Sequence, residues 1–392
     1  MSAPGNPGLA ALGPVFPSLN LLDFDDVARV AVSNRIDLVV VGPETPLAAG
    51  IVDALIERGV AAFGPTARAA RLEASKSFAK EIMARAGVPT AAARTFVALD
   101  EAVAHLEEAT GPYVVKADGL AAGKGVLVTE DRNEAREWAR LCLDGGFANA
   151  GNTIVIEEYL DGPEVSIITL CDGERVLALP PARDYKRLLV SDRGPNTGGM
   201  GCFSPIDVPE GLVGDVVSSV IEPVVSALAA DGVVYRGFLY AGLVLTADGP
   251  KVLEFNCRLG DPEAQVVLPR LDEDLLALMS AATQGALPNR RLKVREDAAV
   301  DVVLAARGYP ESPETGAPIS GLAEAESGGE GVQIFHAGTR FDGDGIVTAG
   351  GRVLNVVGIG DDIATARAAA YSVAGNIDFA GKQFRSDIGE QW

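Results

Sequence analysis

Lys116 and the glycines that follow it are the first residues in this chain whose types and spacing suggest chemistry. The segment PYVVKADGLAAGKGVLV runs from Pro112 to Val128. Its β-branched run from Val114 to Ala117 predicts a strand that ends on Lys116 and Ala117. Gly119, Gly123 and Gly125 then punctuate a loop that also holds Lys124, and Gly125 to Thr129 reads as a second strand. No helix fits between them. A Walker A loop needs four residues between its first glycine and the Gly-Lys pair, then Ser or Thr, then a helix. Three residues separate Gly119 from Gly123, and Gly125 follows Lys124, so that motif fits poorly. A glycine-rich hairpin can still cover a polyphosphate, because its N–H groups approach the oxygens and its flexibility suits a lid. Lys116 could reach phosphate oxygens. An ordinary hairpin with a solvated lysine is the alternative.

Two further stretches carry polar residues at useful spacing. Asn152 to Leu160 is an apolar strand ending in Glu157 and Glu158, followed by Tyr159, Leu160 and the turn Asp161-Gly162-Pro163. A strand end with backbone groups and a carboxylate can bond an adenine edge, and Glu164 beyond the turn could accept from ribose hydroxyls. In KVLEFNCRLGDPE, Lys251 to Glu263, the strand residues Glu254 and Asn256 are two apart and share a face. Two oxygen ligands on one face suit Mg²⁺, which shares its shell with phosphates and water. Glu254 alone would read as an exposed strand carboxylate; with Asn256, Arg258 and Asp261 beside it, the stretch reads as a site.

These pieces resemble the ATP-grasp superfamily and, more closely, its glycinamide ribonucleotide synthetase (phosphoribosylamine–glycine ligase) family. The resemblance is carried by VVKADGLAAGKGV, IVIEEYLDGPEVS, GPNTGGMG, GFLYAGL, EFNCRLGDPE and FHAGT, in order, from Ala3 to the DIG at Asp387 to Gly389. It implies ATP-dependent ligation of glycine to 5-phosphoribosylamine through glycyl phosphate, in purine synthesis, with ATP and Mg²⁺ (or Mn²⁺) as cofactors. It implies an ATP site of Lys76, Lys116, Gly119, Gly123, Lys124, Gly125, Glu157, Glu158, Tyr159, Leu160 and Glu164, with metal on Glu254 and Asn256. The long polar stretch Ala182 to Pro205 would meet the amino acid and acyl phosphate through Asn196, Thr197, Gly198, Gly199, Met200 and Gly201. Asp184, Lys186 and Arg187 would line its approach, with Arg258 and Asp261 completing the substrate site. Arg258 and Lys116 would be catalytic. Rival readings are another ATP-grasp carboxylate–amine ligase, or a nucleotide-binding remnant without activity.

The resemblance has one departure. The family begins with an apolar strand, a GxGGREHA-type turn and a helix ahead of APGN, whereas this chain reaches APGN at Ala3 to Asn6. In the family that turn helps hold the phosphate of phosphoribosylamine. The expectation is a late start or a truncation that keeps the ATP half and impairs use of phosphoribosylamine, with Val39, Val40 and Val41 beside an unpaired edge.

A chain of 392 residues with 48% hydrophobic content predicts several filled cores. Thirty-three basic against 54 acidic residues give −21, which argues against nucleic-acid or acidic-membrane partners. An anionic ligand must therefore be held by locally placed cations and N–H groups. Cys142, Cys171, Cys202 and Cys257 show no CxxC spacing and read as reduced thiols of a cytoplasmic protein, expected to be monomeric. With only His105 and His336, a His-based zinc site or Ser-His-Asp triad is improbable. No signal peptide and no apolar run long enough to span a bilayer are seen.

The expected fold class is α/β, and the resemblance implies a truncated doubly wound N-terminal α/β domain over 1–75, an ATP-grasp domain over 76–290 with a mobile nucleotide lid at about 90–160, and a small C-terminal α/β domain over 291–392. Asp37 to Gly42 reads as a buried parallel strand. Ser75 to Arg85 reads as a helix ended by Gly87, bringing Lys76 to its first turn. Cys171 to Leu179 is expected to complete the phosphate loop's sheet, and Ala182 to Pro205 to be a structureless loop.

Overall fold

A computed structural model describes residues 1–121, 125–146, 152–327 and 331–390. Gly123 and Lys124 of the predicted phosphate loop lie outside the described residues.

The N-terminal part is α/β, as expected. Asn6 caps the helix Pro7–Leu12 and Asp23 caps Phe24–Ser33, each accepting a bond from a first-turn N–H. Val39–Val40 pairs in parallel with Ala62–Phe63. The strand is not buried as predicted: Val40 is 47% exposed. A two-stranded sheet leaves one edge of Val39–Val40 without a strand neighbour among the described residues, and apolar residues on such an edge stay open to solvent. Leu47, Ile51, Val52 and Leu55 from the helices Glu44–Ala49 and Ile51–Glu57 build the small core beside it.

The phosphate-loop sheet has the order Ala93–Phe96, Ile154–Glu157, Tyr113–Ala117, Val126–Thr129, with every pair antiparallel. Strand alternation does the positioning here. Tyr113, Val115, Ala117, Ile154 and Ile156 point to one face, where the helices Leu99–Glu108 and Arg132–Leu143 bury them. Lys116 and Glu157 therefore point to the other. On that side lies Lys76–Ala86, whose N-cap Ser75 accepts from the Phe78 N–H and whose C-cap Gly87 is left-handed, as read from the sequence.

Cys171 to Leu179 does not complete this sheet. Glu164–Asp172 and Val176–Ala178 belong to a second one, ordered Gly249–Asn256, Arg236–Thr246, Glu164–Asp172, Val176–Ala178. The chain changes sheets at Gly162, which has φ 146 and a backbone so close to the neighbouring strand that a Cβ would sit 2.3 Å from Leu245 O. Leu245 N then donates to Pro163 O and the new ladder begins.

Ala182 to Pro205 is not structureless. Arg183–Asp184 and Gly201–Ser204 join a third sheet, ordered Val332–His336, Arg352–Gly360, Ala298–Ala305, Gly201–Ser204, Arg183–Asp184. Between them Arg187–Leu189 and Arg193–Asn196 form a hairpin. Ser191 and Asp192, both at positive φ, supply its turn. Backbone polar groups that a bare loop would leave open are thereby paired. The helix Ile363–Ala374 packs on this sheet against Gly358.

The helical stretch Leu212–Ala230 is long and apolar enough to cross a membrane by length and composition, contrary to the expectation that no such run exists. Its apolar character comes from packing: Val216, Val220, Val224 and Leu228 recur at helical spacing and lie in the largest core.

Candidate functional site

Three lysines and two acids meet where the phosphate-loop sheet faces the strand Gly249–Asn256. Lys116 Nζ lies 2.9 Å from Glu157 Oε2 and donates to Leu253 O at 3.3 Å. Lys80 Nζ takes the other carboxylate oxygen at 3.2 Å and is itself held by Thr90 Oγ1 and Ala91 O. Lys76 Nζ donates to Gly119 O at 3.1 Å, tying the loop to the helix start. Asp118 strengthens that tie, accepting from Ser77 N at 3.0 Å and from the Ser77 hydroxyl. Burial pulls the Lys76 and Lys80 ammonium groups below the usual lysine range, opposed chiefly by Glu254 and Glu157 respectively. A set of half-dehydrated cations with too few anions is what a polyphosphate would complete.

Glu157 is thus a buried counterion to two lysines, where the sequence suggested an adenine contact. Glu158 N donates to Ala92 O, and Glu158 Oε1 accepts from Ala92 N at 3.1 Å and lies 3.6 Å from Lys251. Tyr159 is exposed and borders a hollow of about 460 Å³ shared with Arg94, His105 and Tyr113. Leu160 is half-buried at the sheet change. Glu164 binds Lys186 Nζ at 2.9 Å.

Glu254 and Asn256 share a strand face as predicted, opposite Gly242 and Tyr240 in a regular stretch of ladder. Beside them on that face, Ser166 Oγ contacts Tyr240 Oη at 2.9 Å and Glu263 Oε1 at 2.8 Å. Lys186 Nζ is 3.8 Å from Glu254 Oε1. Burial pushes the Glu254 carboxyl up, but Lys186, Lys116, Lys76 and Arg258 outweigh it and hold it below the usual glutamate range. Glu254 is therefore ionised and available to a hard cation. Among the described residues no group of three or more His, Cys, Asp or Glu could hold a metal. A cation on Glu254 and Asn256 would take its remaining oxygens from phosphate and water, which fits Mg²⁺.

Arg258 is clamped. Its Nη2 lies 3.0 Å from Glu73 Oε1, its Nε 3.5 Å from Glu44 Oε2, and its Nη1 donates to Leu259 O. Burial works against its charge, but Glu73, Glu44, Glu263 and Glu254 together raise its pKa.

The stretch 196–201 is braced rather than free. Thr197 N and Oγ1 both donate to Lys186 O, Gly198 N donates to Tyr309 Oη, and Gly199 N to Thr197 Oγ1. Met200 is buried, and its N–H donates to Tyr185 O. Arg352 donates to Gly198 O and Asp261 O and pairs with Asp261 Oδ2 at 2.7 Å. Asp261 thus anchors Arg352, and its other oxygen accepts from Gln265. Asp184 Oδ1 is buried without a partner, and burial together with Glu263 raises its carboxyl well above the usual range. Lys186 stays charged against burial chiefly through Glu164, with Glu254 beside it. Arg187 does not join this group: it donates to Gly194 O in its own hairpin, opposite Asn196.

Lys80, Glu73, Glu44, Glu263 and Arg352 were missed in the sequence. Lys80 had a signal, being one helical turn from Lys76. Glu263 had one too, closing the EFNCRLGDPE stretch. Glu73, Glu44 and Arg352 had none, because their partners are remote in the chain.

Residues 1–73, 74–264 and 299–391 match the N domain, ATP-grasp (A) domain and C domain of phosphoribosylglycinamide synthetase. The chain is similar to phosphoribosylamine–glycine ligase of Leifsonia xyli subsp. xyli, with 50% identity over 99% of this chain and 92% of that protein. It is similar to the crystal structure of phosphoribosylamine–glycine ligase from Thermotoga maritima, with 35% identity, a TM-score of 0.85, and coverage of 98% of this chain and 92% of that one. The biotin carboxylase domain of Hydrogenobacter thermophilus 2-oxoglutarate carboxylase, solved with MgADP, shares the fold at 16% identity and a TM-score of 0.72, covering 93% and 80% of the two chains.

Proposed function

The chain belongs to the phosphoribosylglycinamide synthetase family, and on that premise we propose that it ligates glycine to 5-phosphoribosylamine at the expense of ATP. The observation that supports this most directly is the meeting of Lys76, Lys116 and Lys186 with ionised Glu254 beneath the glycine loop. A carboxylate is a poor electrophile and must be activated before an amine can attack it. A glycine carboxylate oxygen attacks the γ-phosphorus and the bond to the β-phosphate oxygen breaks, giving glycyl phosphate and ADP. The ribosylamine nitrogen then attacks the acyl carbon, phosphate leaves, and the nitrogen loses a proton.

This chemistry needs positioning and charge neutralisation. Lys76, Lys116 and the Gly119 and Gly125 amides hold the phosphates. Glu157, Glu158, Tyr159 and Leu160 border the nucleotide, Glu157 by fixing Lys116. Glu254 and Asn256 would hold Mg²⁺ or Mn²⁺, which when bound would neutralise phosphoryl charge. Arg258 grips the glycine carboxylate or the transferring phosphoryl. Asp184, Lys186 and the braced 196–201 stretch line the substrate side. Water would destroy the acyl phosphate, so the site must exclude water while it persists. Buried free thiols at Cys142, Cys171, Cys202 and Cys257 fit a reducing, cytoplasmic setting.

The test is ADP release measured with glycine and phosphoribosylamine supplied together, singly, or replaced by other amino acids and amines. Release that requires both named substrates supports the reading. Release with a different carboxylate–amine pair, or ATP binding without release, overturns it.

A further inference from the structure

Glu73 lies in the last turn of the helix Ala67–Ala74, outside every residue group read from the sequence. Its side chain is 8% exposed, and both its oxygens are used. Oε2 accepts from Cys257 N at 2.7 Å, and Oε1 meets Arg258 Nη2 at 3.0 Å. Two consecutive positions of the EFNCRLGDPE strand end are therefore fixed by one carboxylate, the first through its backbone and the second through its guanidinium. Glu44, at the start of the helix Glu44–Ala49, adds a contact to Arg258 Nε at 3.5 Å.

The geometry of the clamp constrains what Arg258 can do. Guanidinium donors form a rigid planar fork. Glu44 and Glu73 occupy Nε and Nη2, and Leu259 O takes one N–H of Nη1. The plane and tilt of the fork are thereby set before any substrate arrives, and a substrate oxygen meets donors already oriented. A free arginine side chain would have to be ordered at binding, at a loss of rotamer entropy.

We propose that Glu73 is a positioning residue of the ligase reaction, acting through Arg258 to orient the donor that receives the glycine carboxylate. This rests on the ligase reading for its kinetic arm only. Glu44 is the weaker member of the clamp, being longer in distance and more exposed.

The experiment uses the full chain with Glu73→Gln, Glu73→Asp, Arg258→Lys and the double variant Glu73→Gln/Arg258→Lys. Gln keeps an acceptor for Cys257 N while removing the charge. Glu73→Gln should raise the KM for glycine by about tenfold or more, with ATP affinity by calorimetry changed by less than about threefold. Glu73→Asp, which keeps the charge on a shorter stem, should fall between wild type and Gln. The double variant should be no worse than Arg258→Lys alone, since the second change removes what the first acts through. Unchanged glycine KM and kcat in Glu73→Gln overturn the proposal. So does a parallel loss of ATP affinity, glycine affinity and thermal stability, which marks a merely structural carboxylate.

A second arm needs no turnover. In ¹⁵N-arginine-labelled protein the Arg258 Nε–H signal is assigned by its loss in Arg258→Lys. It should shift and broaden in Glu73→Gln as the guanidinium is released, and an unmoved, sharp signal overturns the proposal. If wild type releases no ADP with glycine and phosphoribosylamine, the ligase reading fails while this arm still decides whether Glu73 holds Arg258.

Discussion

Lys116 Nζ and Glu157 Oε2 lie 2.9 Å apart on adjacent strands, as a diagonal pair on the cleft face of the phosphate-loop sheet. Both residues are only 6% exposed. Lys80 completes a triad with the same carboxylate. The arrangement leaves one negative charge between two ammonium groups at the mouth of a cleft, which presets the lysines for an anion.

Removing the shared carboxylate should be felt first in stability. Glu157→Ala leaves Lys116 and Lys80 buried without their counterion. Breaking a buried pair from one side costs about 3–5 kcal/mol. Urea unfolding should show a loss of that order. A change under about 1 kcal/mol would mean that the lysines find other acceptors and that the triad does not organise this face.

Glu254→Gln should behave in the opposite way. The carboxylate is partly exposed, Lys186 keeps its shorter contact with Glu164 and Lys76 keeps its bond to Gly119 O, so unfolding should change by no more than about 1 kcal/mol. Turnover and its dependence on Mg²⁺ concentration should suffer by about 100-fold or more, because an ionised ligand is replaced by a neutral one. Intact turnover with an unshifted Mg²⁺ titration would show that Glu254 is not a ligand.

What the sequence showed and what it hid divide along range. The strands around the glycine loop, the Ser75-capped helix and the shared face of Glu254 and Asn256 were readable, since each depends on residues a few positions apart. The clamp on Arg258 was not, because Glu73 and Cys257 are 184 residues apart and meet only when the N-terminal helices pack on the strand end. Arg352 and Asp261 are 91 residues apart and were hidden in the same way. The stretch 182–205 misled for another reason: its polar residues and glycines look like an open loop, while its last strand, Gly201–Ser204, pairs with Ala298–Ala305, far along the chain, and holds Arg183–Asp184 on its other side. Gly162 hid the change of sheet, because one residue at a close backbone approach redirects a strand without altering its apolar pattern.

Asp301 should be a stabilising position to change. It is fully buried in the strand Ala298–Ala305, opposite Cys202 and Val357, and neither carboxyl oxygen has a partner. Burial, with Asp261 and Asp184 nearby, raises its carboxyl well above the usual range, with Arg352 opposing. Asp301→Val replaces an unpaired polar group with a β-branched residue suited to a central strand. The variant should gain about 1–3 kcal/mol in urea unfolding at neutral pH. A loss would show that the carboxyl has a bonded role in solution.

Gly358 marks a close approach that tolerates no side chain. A Cβ there would sit 2.0 Å from Ala366 O and 2.6 Å from Ala370 N, both backbone atoms of the helix Ile363–Ala374. Backbone cannot rotate away, so Gly358→Ala must lift the helix from the sheet. Overpacking of this kind costs about 1–3 kcal/mol. Thermal unfolding of Gly358→Ala should fall accordingly, and an unchanged midpoint would mean that the helix rides higher on the sheet.

Glu73 links site geometry to pH. Burial pushes its carboxyl from 4.5 up to about 7, with Arg258 and the Cys257 N–H pulling the other way. The sign follows from which state ionises first. Below pH 4.5 the group is protonated in both folded and unfolded chains and costs nothing. As pH rises from 4.5 towards 7, the unfolded chain loses its proton first, so the folded state loses stability until the folded group has also ionised. The gap corresponds to an order of 3 kcal/mol. Ionisation also tightens the grip on Arg258, so the clamp strengthens over the same window in which the fold is weakened. Glu73→Gln cannot ionise and should escape the loss. The unfolding free energy of wild type minus that of Glu73→Gln, measured in urea from about pH 4.5 to about pH 8, should therefore fall by on the order of 3 kcal/mol. A difference that stays flat would place the carboxyl's ionisation at an ordinary glutamate value and show that its ion pair with Arg258 fully offsets its burial.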